Sequence, residues 1–123
     1  MAMDYGPEVA PNPVRHMGYY AVLAAQRTLA QLRAAGFPNA KIGITAMIGV
    51  NDVPEEIFTI SDATRVVNFA IQTAYIGLLS FWSINRDVND IYAPLYMSSQ
   101  IVQTPFDFAK AFYRLEYQHT SAL

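Results

Sequence analysis

An α/β fold of three consecutive parallel βα units is expected, on three observations. First, short apolar runs over residues 1–5, 42–48 and 76–84 are each followed by a polar loop and then by a helical pattern. Second, the runs begin near residues 1, 42 and 76, which leaves each crossover the dozen or more residues that parallel strands require. Third, the chain is 53% hydrophobic but only 15% charged, against about 25% charged in ordinary domains. Strands buried on both faces, and helices with wide apolar stripes, account for such a surplus.

Each element has its local signal. Asn12 is a fair N-cap and Pro13 suits a first helical position, so a helix is expected over residues 12–35. Tyr20, Leu23, Ala24, Thr28, Leu32 and Ala35 recur at helical spacing, and Gly36 and Pro38 stop it. A second helix is expected from a Ser61 cap with Asp62 in its first turn; Val66, Val67, Ala70, Thr73 and Ala74 form its buried stripe. A third is expected from Thr104 and Pro105, with Phe108, Phe112 and Leu115 on one face. Residues 1–117 are read as one partial barrel and residues 118–123 as a frayed tail.

Composition excludes several classes. At 123 residues there is room for at most one domain. The net charge of -2 and eight scattered basic residues exclude a nucleic-acid partner. There is no cysteine, hence no disulfide or thiolate metal site. His16 and His119 stand far apart, outside any metal-ligand spacing, and read as solvated surface residues. No signal peptide is visible, and no apolar run reaches 18 residues, so no membrane association is expected. Gly-x-Gly-x-x-Gly, Walker and Gly-x-Ser-x-Gly patterns are absent, and no metal or organic cofactor is implied.

Three strands make an incomplete sheet with two open edges and a bare face. The economical explanation is that they are the last three units of a larger barrel. Ile44, Ala46, Leu78 and Ser80 are expected to point into its interior and to meet water here, which favours self-association.

Ligands of parallel α/β proteins gather where a strand gives way to its loop. Leu79-Ser80-Phe81-Trp82-Ser83-Ile84-Asn85-Arg86-Asp87 is such a junction and carries the only tryptophan. A flat indole there is a suitable floor for a sugar ring, although tryptophan also serves as plain packing. Asn51 and Asp52 follow the second run and could reach a hydroxyl, or could simply form a turn. Arg86 and Asp87 could pair with each other or with loop backbone and read best as a structural ion pair; Met47 reads as core, and Tyr92 and Tyr96 as packing for their loop rather than an extended groove.

Four segments together carry a resemblance. Met1-Ala2-Met3-Asp4-Tyr5-Gly6, Gly43-Ile44-Thr45-Ala46-Met47-Ile48-Gly49-Val50-Asn51-Asp52 and Ser80-Phe81-Trp82-Ser83-Ile84-Asn85-Arg86-Asp87 resemble the sixth, seventh and eighth strand ends of glycoside hydrolase family 18 chitinases. Gln103-Thr104-Pro105-Phe106-Asp107-Phe108-Ala109-Lys110 resembles the closing helix of that family. The resemblance implies the C-terminal part of a (β/α)8 TIM barrel. It also implies a parent reaction: substrate-assisted hydrolysis of β-1,4-linked N-acetylglucosamine polymers, in which the substrate's acetamido group acts as nucleophile. The partners implied are chitin oligomers and an N-terminal half barrel, and the parent family is extracellular.

The family's acid closes an Asp-x-x-Asp-x-Asp-x-Glu motif. None of Glu8, Glu55, Glu56 and Glu116 ends such a pattern, so the chain is not expected to catalyse the reaction alone. By the same resemblance Trp82 would stack on the sugar. Tyr5 would position the acetamido group, with Met3, Asp4, Met47, Asn51 and Asp52 as further substrate contacts. The family's Met-x-Tyr-Asp pattern fits in two registers: one keeps Tyr5 and the other keeps Asp4. Strand alternation places Met1, Met3 and Tyr5 on one face, which favours Tyr5, and sets its ring in the same concavity as Trp82. Two other functions fit the residues: a non-catalytic carbohydrate-binding protein and a self-associating structural α/β protein.

Overall fold

The computed structural model describes residues 1–121, with side chains for residues 1–117. Its elements run α1 (Met17–Ala34), β1 (Ile42–Met47), β2 (Gly49–Val50), β3 (Ile57–Phe58), α2 (Ile60–Ile71), β4 (Ile76–Trp82) and α3 (Asp107–Ser121). The strands β1 and β4 pair in parallel, and β2 and β3 form a small antiparallel ribbon above them. No described helix is long and apolar enough to cross a membrane.

The expected strand over residues 1–5 shrinks to a single parallel bridge, Ala2 to Ala46, in which the Ala2 N–H donates to the Thr45 carbonyl at 2.7 Å. It stops because Asp4 and Gly6 take left-handed backbone conformations, φ 52° and 73°, which no strand can continue through. The next apolar run ends at Met47 rather than residue 48. Gly49 turns left-handed at φ 69°, and the β2–β3 ribbon that follows was not anticipated.

Registration decides the two faces of the sheet. Partners across β1 and β4 are Gly43–Leu78, Ile44–Leu79, Thr45–Ser80, Ala46–Phe81 and Met47–Trp82. Partners in a parallel pair share a face, so Ile44 and Ala46 belong with Leu79 and Phe81, not with Leu78 and Ser80. Both are buried, among the residues packed under the helices. The expectation that Ile44 and Ala46 face the barrel interior is therefore wrong; Gly43, Thr45 and Met47 take that side. An irregularity between Ile42 and Gly43 sets Gly77 outside the register, which lets Ile76 reach the core although Leu78, Ser80 and Trp82 do not.

Helix α1 begins at Met17, not at residue 12, because Arg15 is left-handed at φ 62° and the residues before it form turns. Its buried stripe is Met17, Gly18, Tyr20, Ala21, Ala25 and Leu29, shifted from the expected one; small residues let the helix approach Ala2 and the sheet closely. The stop was legible: Gly36 at φ 93° allows Phe37 N–H to reach Leu32 O and Gly36 N–H to reach Arg33 O, a Schellman motif.

The cap of α2 is Thr59 rather than Ser61, in a reciprocal capping box with Asp62. Asp62 Oδ1 also accepts from Gly18 N–H at 2.8 Å, tying the starts of α1 and α2 together. A Cβ at Gly18 would sit 2.8 Å from Asp62 O, so the approach needs glycine. Val66, Val67 and Ala70 are buried as expected, whereas Thr73 and Ala74 lie beyond the helix. In α3, Phe108, Phe112 and Leu115 are buried as expected. Thr104 hydrogen-bonds Asp107 just before its first turn. The tail expected from residue 118 is helical in backbone to Ser121; Ala122 and Leu123 lie outside the described residues.

Candidate functional site

The C-terminal ends of β1 and β4 meet at Met47 and Trp82. Trp82 closes β4 on the face opposite Phe81, which packs edge-on against Phe112 of α3 with centroids 5.1 Å apart. Its side is therefore bare, and Trp82 is 58% exposed. Its partner Met47 is buried, yet it stands outside the cluster under the helices. Below them Thr45 and Ser80 share a hydrogen bond of 2.7 Å, a polar stripe on the same face. The Trp82–Ser83 peptide is cis.

Arg86 organises the rim. It is fully buried and, among the described residues, hydrogen-bonds no carboxylate. Nε donates to Leu95 O at 2.6 Å, Nη1 to Ile48 O at 2.7 Å, and Nη2 to Val50 O at 2.7 Å. Nη1 also lies 3.5 Å from Trp82 O. Burial pulls its guanidinium below the usual value, and the charge of Asp52 partly restores it. The expected Arg86–Asp87 ion pair does not form. Asp87 turns the other way: its carboxylate accepts from Phe108 N–H, Ala109 N–H and the Gln103 amide, capping α3. Tyr92 and Tyr96 do not pack their loop down; both rings are exposed.

The second loop is held from beneath. Asn51 is buried, and its amide donates to Met47 O at 2.9 Å and Gly49 O at 3.0 Å. It shapes the turn from within rather than presenting its side chain to solvent. Asp52 beside it is exposed. Gly49 is obligatory: a Cβ there would lie 2.1 Å from Ser99 O, against which Val50 N–H also bonds.

The left-handed Asp4 reverses the alternation expected for the first segment. Tyr5 consequently lies against Tyr20 of α1, centroids 6.3 Å apart, with its hydroxyl buried. Burial, and secondarily the Glu56 carboxylate, push that hydroxyl above the ordinary tyrosine range. The half-buried ring packs against the cluster under the helices, whereas Trp82 stands on the face of β4 away from Phe81. Asp4 is exposed instead, and its carboxylate accepts from Val53 N–H at 3.4 Å. Met3 beside it is half-buried. Glu56, which sequence reasoning passed over, is buried and accepts from Gly6 N–H at 2.7 Å, fastening the first loop to the ribbon. Nothing around Glu56 in the sequence marks it. For Asp62 the available signal is Thr59 three residues before it, which the Ser61 reading missed.

Known proteins were compared with this arrangement. No protein-family model matches the chain. A probable bifunctional chitinase/lysozyme of Escherichia coli is 35% identical over 99 residues, covering 72% of this chain and 11% of that protein. Endochitinase 11 of Metarhizium anisopliae is 46% identical over 50 residues, covering 41% of this chain and 9% of that protein. Among solved structures, active domain 2 of a thermostable chitinase from Pyrococcus furiosus, a catalytic-site mutant complexed with chito-oligosaccharides, superposes with a TM-score of 0.80 at 29% identity. That match covers 97% of this chain and 39% of the other. The catalytic domain of a hyperthermophilic Pyrococcus furiosus chitinase gives a TM-score of 0.68 at 30% identity, over 96% and 39%. The chain thus spans about a tenth of the curated relatives and 39% of the solved chains. It is related to the family 18 chitinases and has the fold of part of their catalytic barrel.

Proposed function

We propose that this chitinase-related chain supplies part of the sugar-binding wall of a chitin-hydrolysing barrel and not its proton donor. One observation carries the reading: the single indole, Trp82, stands bare at the C-terminal end of a parallel strand, where such barrels bind their ligands. An indole face suits the axial C–H bonds of a pyranose, and covering it contributes through buried apolar area. Asp4 and Asp52 offer exposed carboxylates to sugar hydroxyls. Met47 takes the Trp82 side of β1 but is buried, and Met3 is half-buried beside Asp4. Asn51 acts indirectly, by holding the loop that carries Asp52. Tyr5 packs against Tyr20 of α1 with its hydroxyl buried. The acid motif is missing from the 123 residues, so the general acid comes from elsewhere in the barrel.

A second observation favours a closing partner. The outer edge of β4 and the flank of α3 frame an open groove of about 760 Å3, lined by Leu78, Phe81, Ile84, Phe112, Tyr113 and Leu115. The remaining units of a barrel would cover it, whether in a longer chain or a separate one; without them, copies of this chain would associate there.

The test is titration of Trp82 fluorescence with chitin oligomers, beside an assay on a chromogenic chitin oligomer. Saturable change in emission, loss of chitin retention in Trp82→Ala and no product release are expected. Turnover by the chain alone, or emission indifferent to oligomers, overturns the reading.

A further inference from the structure

Arg86, the one fully buried arginine among the described residues, spends its donors on backbone carbonyls, and those carbonyls belong to the elements that carry the proposed wall. Ile48 directly follows β1, Val50 lies in β2, Trp82 ends β4, and Leu95 belongs to the loop beyond. The ends of parallel strands leave carbonyls without a strand partner, and burying them unpaired is costly. A planar guanidinium can satisfy several at fixed angles, which an ammonium cannot. A buried cation is itself unfavourable, and here only the charge of Asp52 offsets that burial in part.

We infer that Arg86 is the positioning residue for Trp82: its guanidinium locks the ends of β1, β2 and β4 into one rim and thereby fixes the indole on the bare face. Trp82 O is held twice, by Ile48 N–H at 3.0 Å and by Arg86 Nη1 at 3.5 Å, and Ile48 O is held by the same nitrogen. Asp87, next in sequence, accepts from the first turn of α3, so the rim and the helix are anchored by adjacent residues. Arg86 touches no ligand; it acts through Trp82. The inference rests on the sugar-wall reading for its purpose, but its geometry is tested without sugar.

Trp82 is the only tryptophan, so time-resolved fluorescence anisotropy reports its mobility alone. In the unaltered chain a single slow decay, that of the whole particle, is expected. Arg86→Lys keeps the charge and loses the planar fork; Arg86→Met loses both. In each folded variant a fast component is expected, with easier quenching by acrylamide. A purely structural arginine would lower the melting temperature and leave the folded-state decay single, and that result overturns the inference. Should neither variant fold, exchange of the Arg86 Nε–H in the unaltered chain decides: strong protection relative to exposed Arg27 supports the lock, and equal exchange overturns it. Failure of the unaltered chain to bind chitin oligomers would strike the functional reading and leave these measurements standing.

Discussion

One two-stranded sheet presents two different surfaces. On the covered side Ile44, Ala46, Leu79 and Phe81 meet α1, α2 and α3, and the hydrophobic cluster is continuous. On the other side Gly43, Thr45, Met47, Leu78, Ser80 and Trp82 stand outside that cluster; Met47 is buried, but Leu78 and Trp82 are 59% and 58% exposed. The covered side is apolar at every position, as burial against helices demands. That side combines a glycine, two hydroxyls in mutual hydrogen bond and three large apolar residues. The pattern of a surface meant for packing differs from that of a surface meant for a ligand or for a further layer, and the difference sits one residue apart along the strand.

Substitutions on the two sides should separate in size. Ile44→Ala should cost about 3 kcal/mol, the usual price of truncating a buried aliphatic residue, measured by urea unfolding. A cost below about 1 kcal/mol, the scale of a surface change, would break the distinction. Asp62→Ala, which strips the covered side of the link between α1 and α2, should cost about 2 kcal/mol through the lost cap and the orphaned Gly18 N–H.

Tyr5 sharpens the comparison through pH. Its hydroxyl keeps its proton more tightly folded than unfolded. Stability from this source is therefore intact below the unfolded value near pH 10 and falls as pH rises above it. Tyr5→Phe should flatten that alkaline fall in a series of melting curves. An unchanged alkaline slope would place Tyr5 in water and restore it to the bare side. The smallest effect is expected at Leu78: Leu78→Lys should change stability by no more than about 0.5 kcal/mol while shifting sedimentation toward the monomer. Unaltered association would show that this side is not where copies meet.

The third helix shows how far sequence alone reached. Thr104, Pro105 and the Phe108–Phe112–Leu115 spacing placed it within a few residues, because caps and stripes are local. Gly36 stopped α1 for the same reason. The order of βα units, and the strand end at Trp82, followed from apolar runs broken by polar loops. What failed was non-local. Ile44 and Ala46 were set on the wrong face because strand parity is relative until a partner fixes the register, and Leu79 and Phe81 are that partner. Tyr5 was misplaced because a single left-handed residue, Asp4, reverses alternation, and aspartate is only weakly marked for that conformation.

Composition, spacing and short motifs carried the class of fold, the likeness to chitinases and the place of Trp82 at a strand end. What Arg86, Glu56 and Asn51 do is set by the partners the folded chain brings to them. Each is a polar side chain taken out of water, and a buried polar group is defined by the carbonyl or amide it meets. Arg86 draws those partners from chain segments 4 to 38 residues away, a distance over which no local pattern can name them.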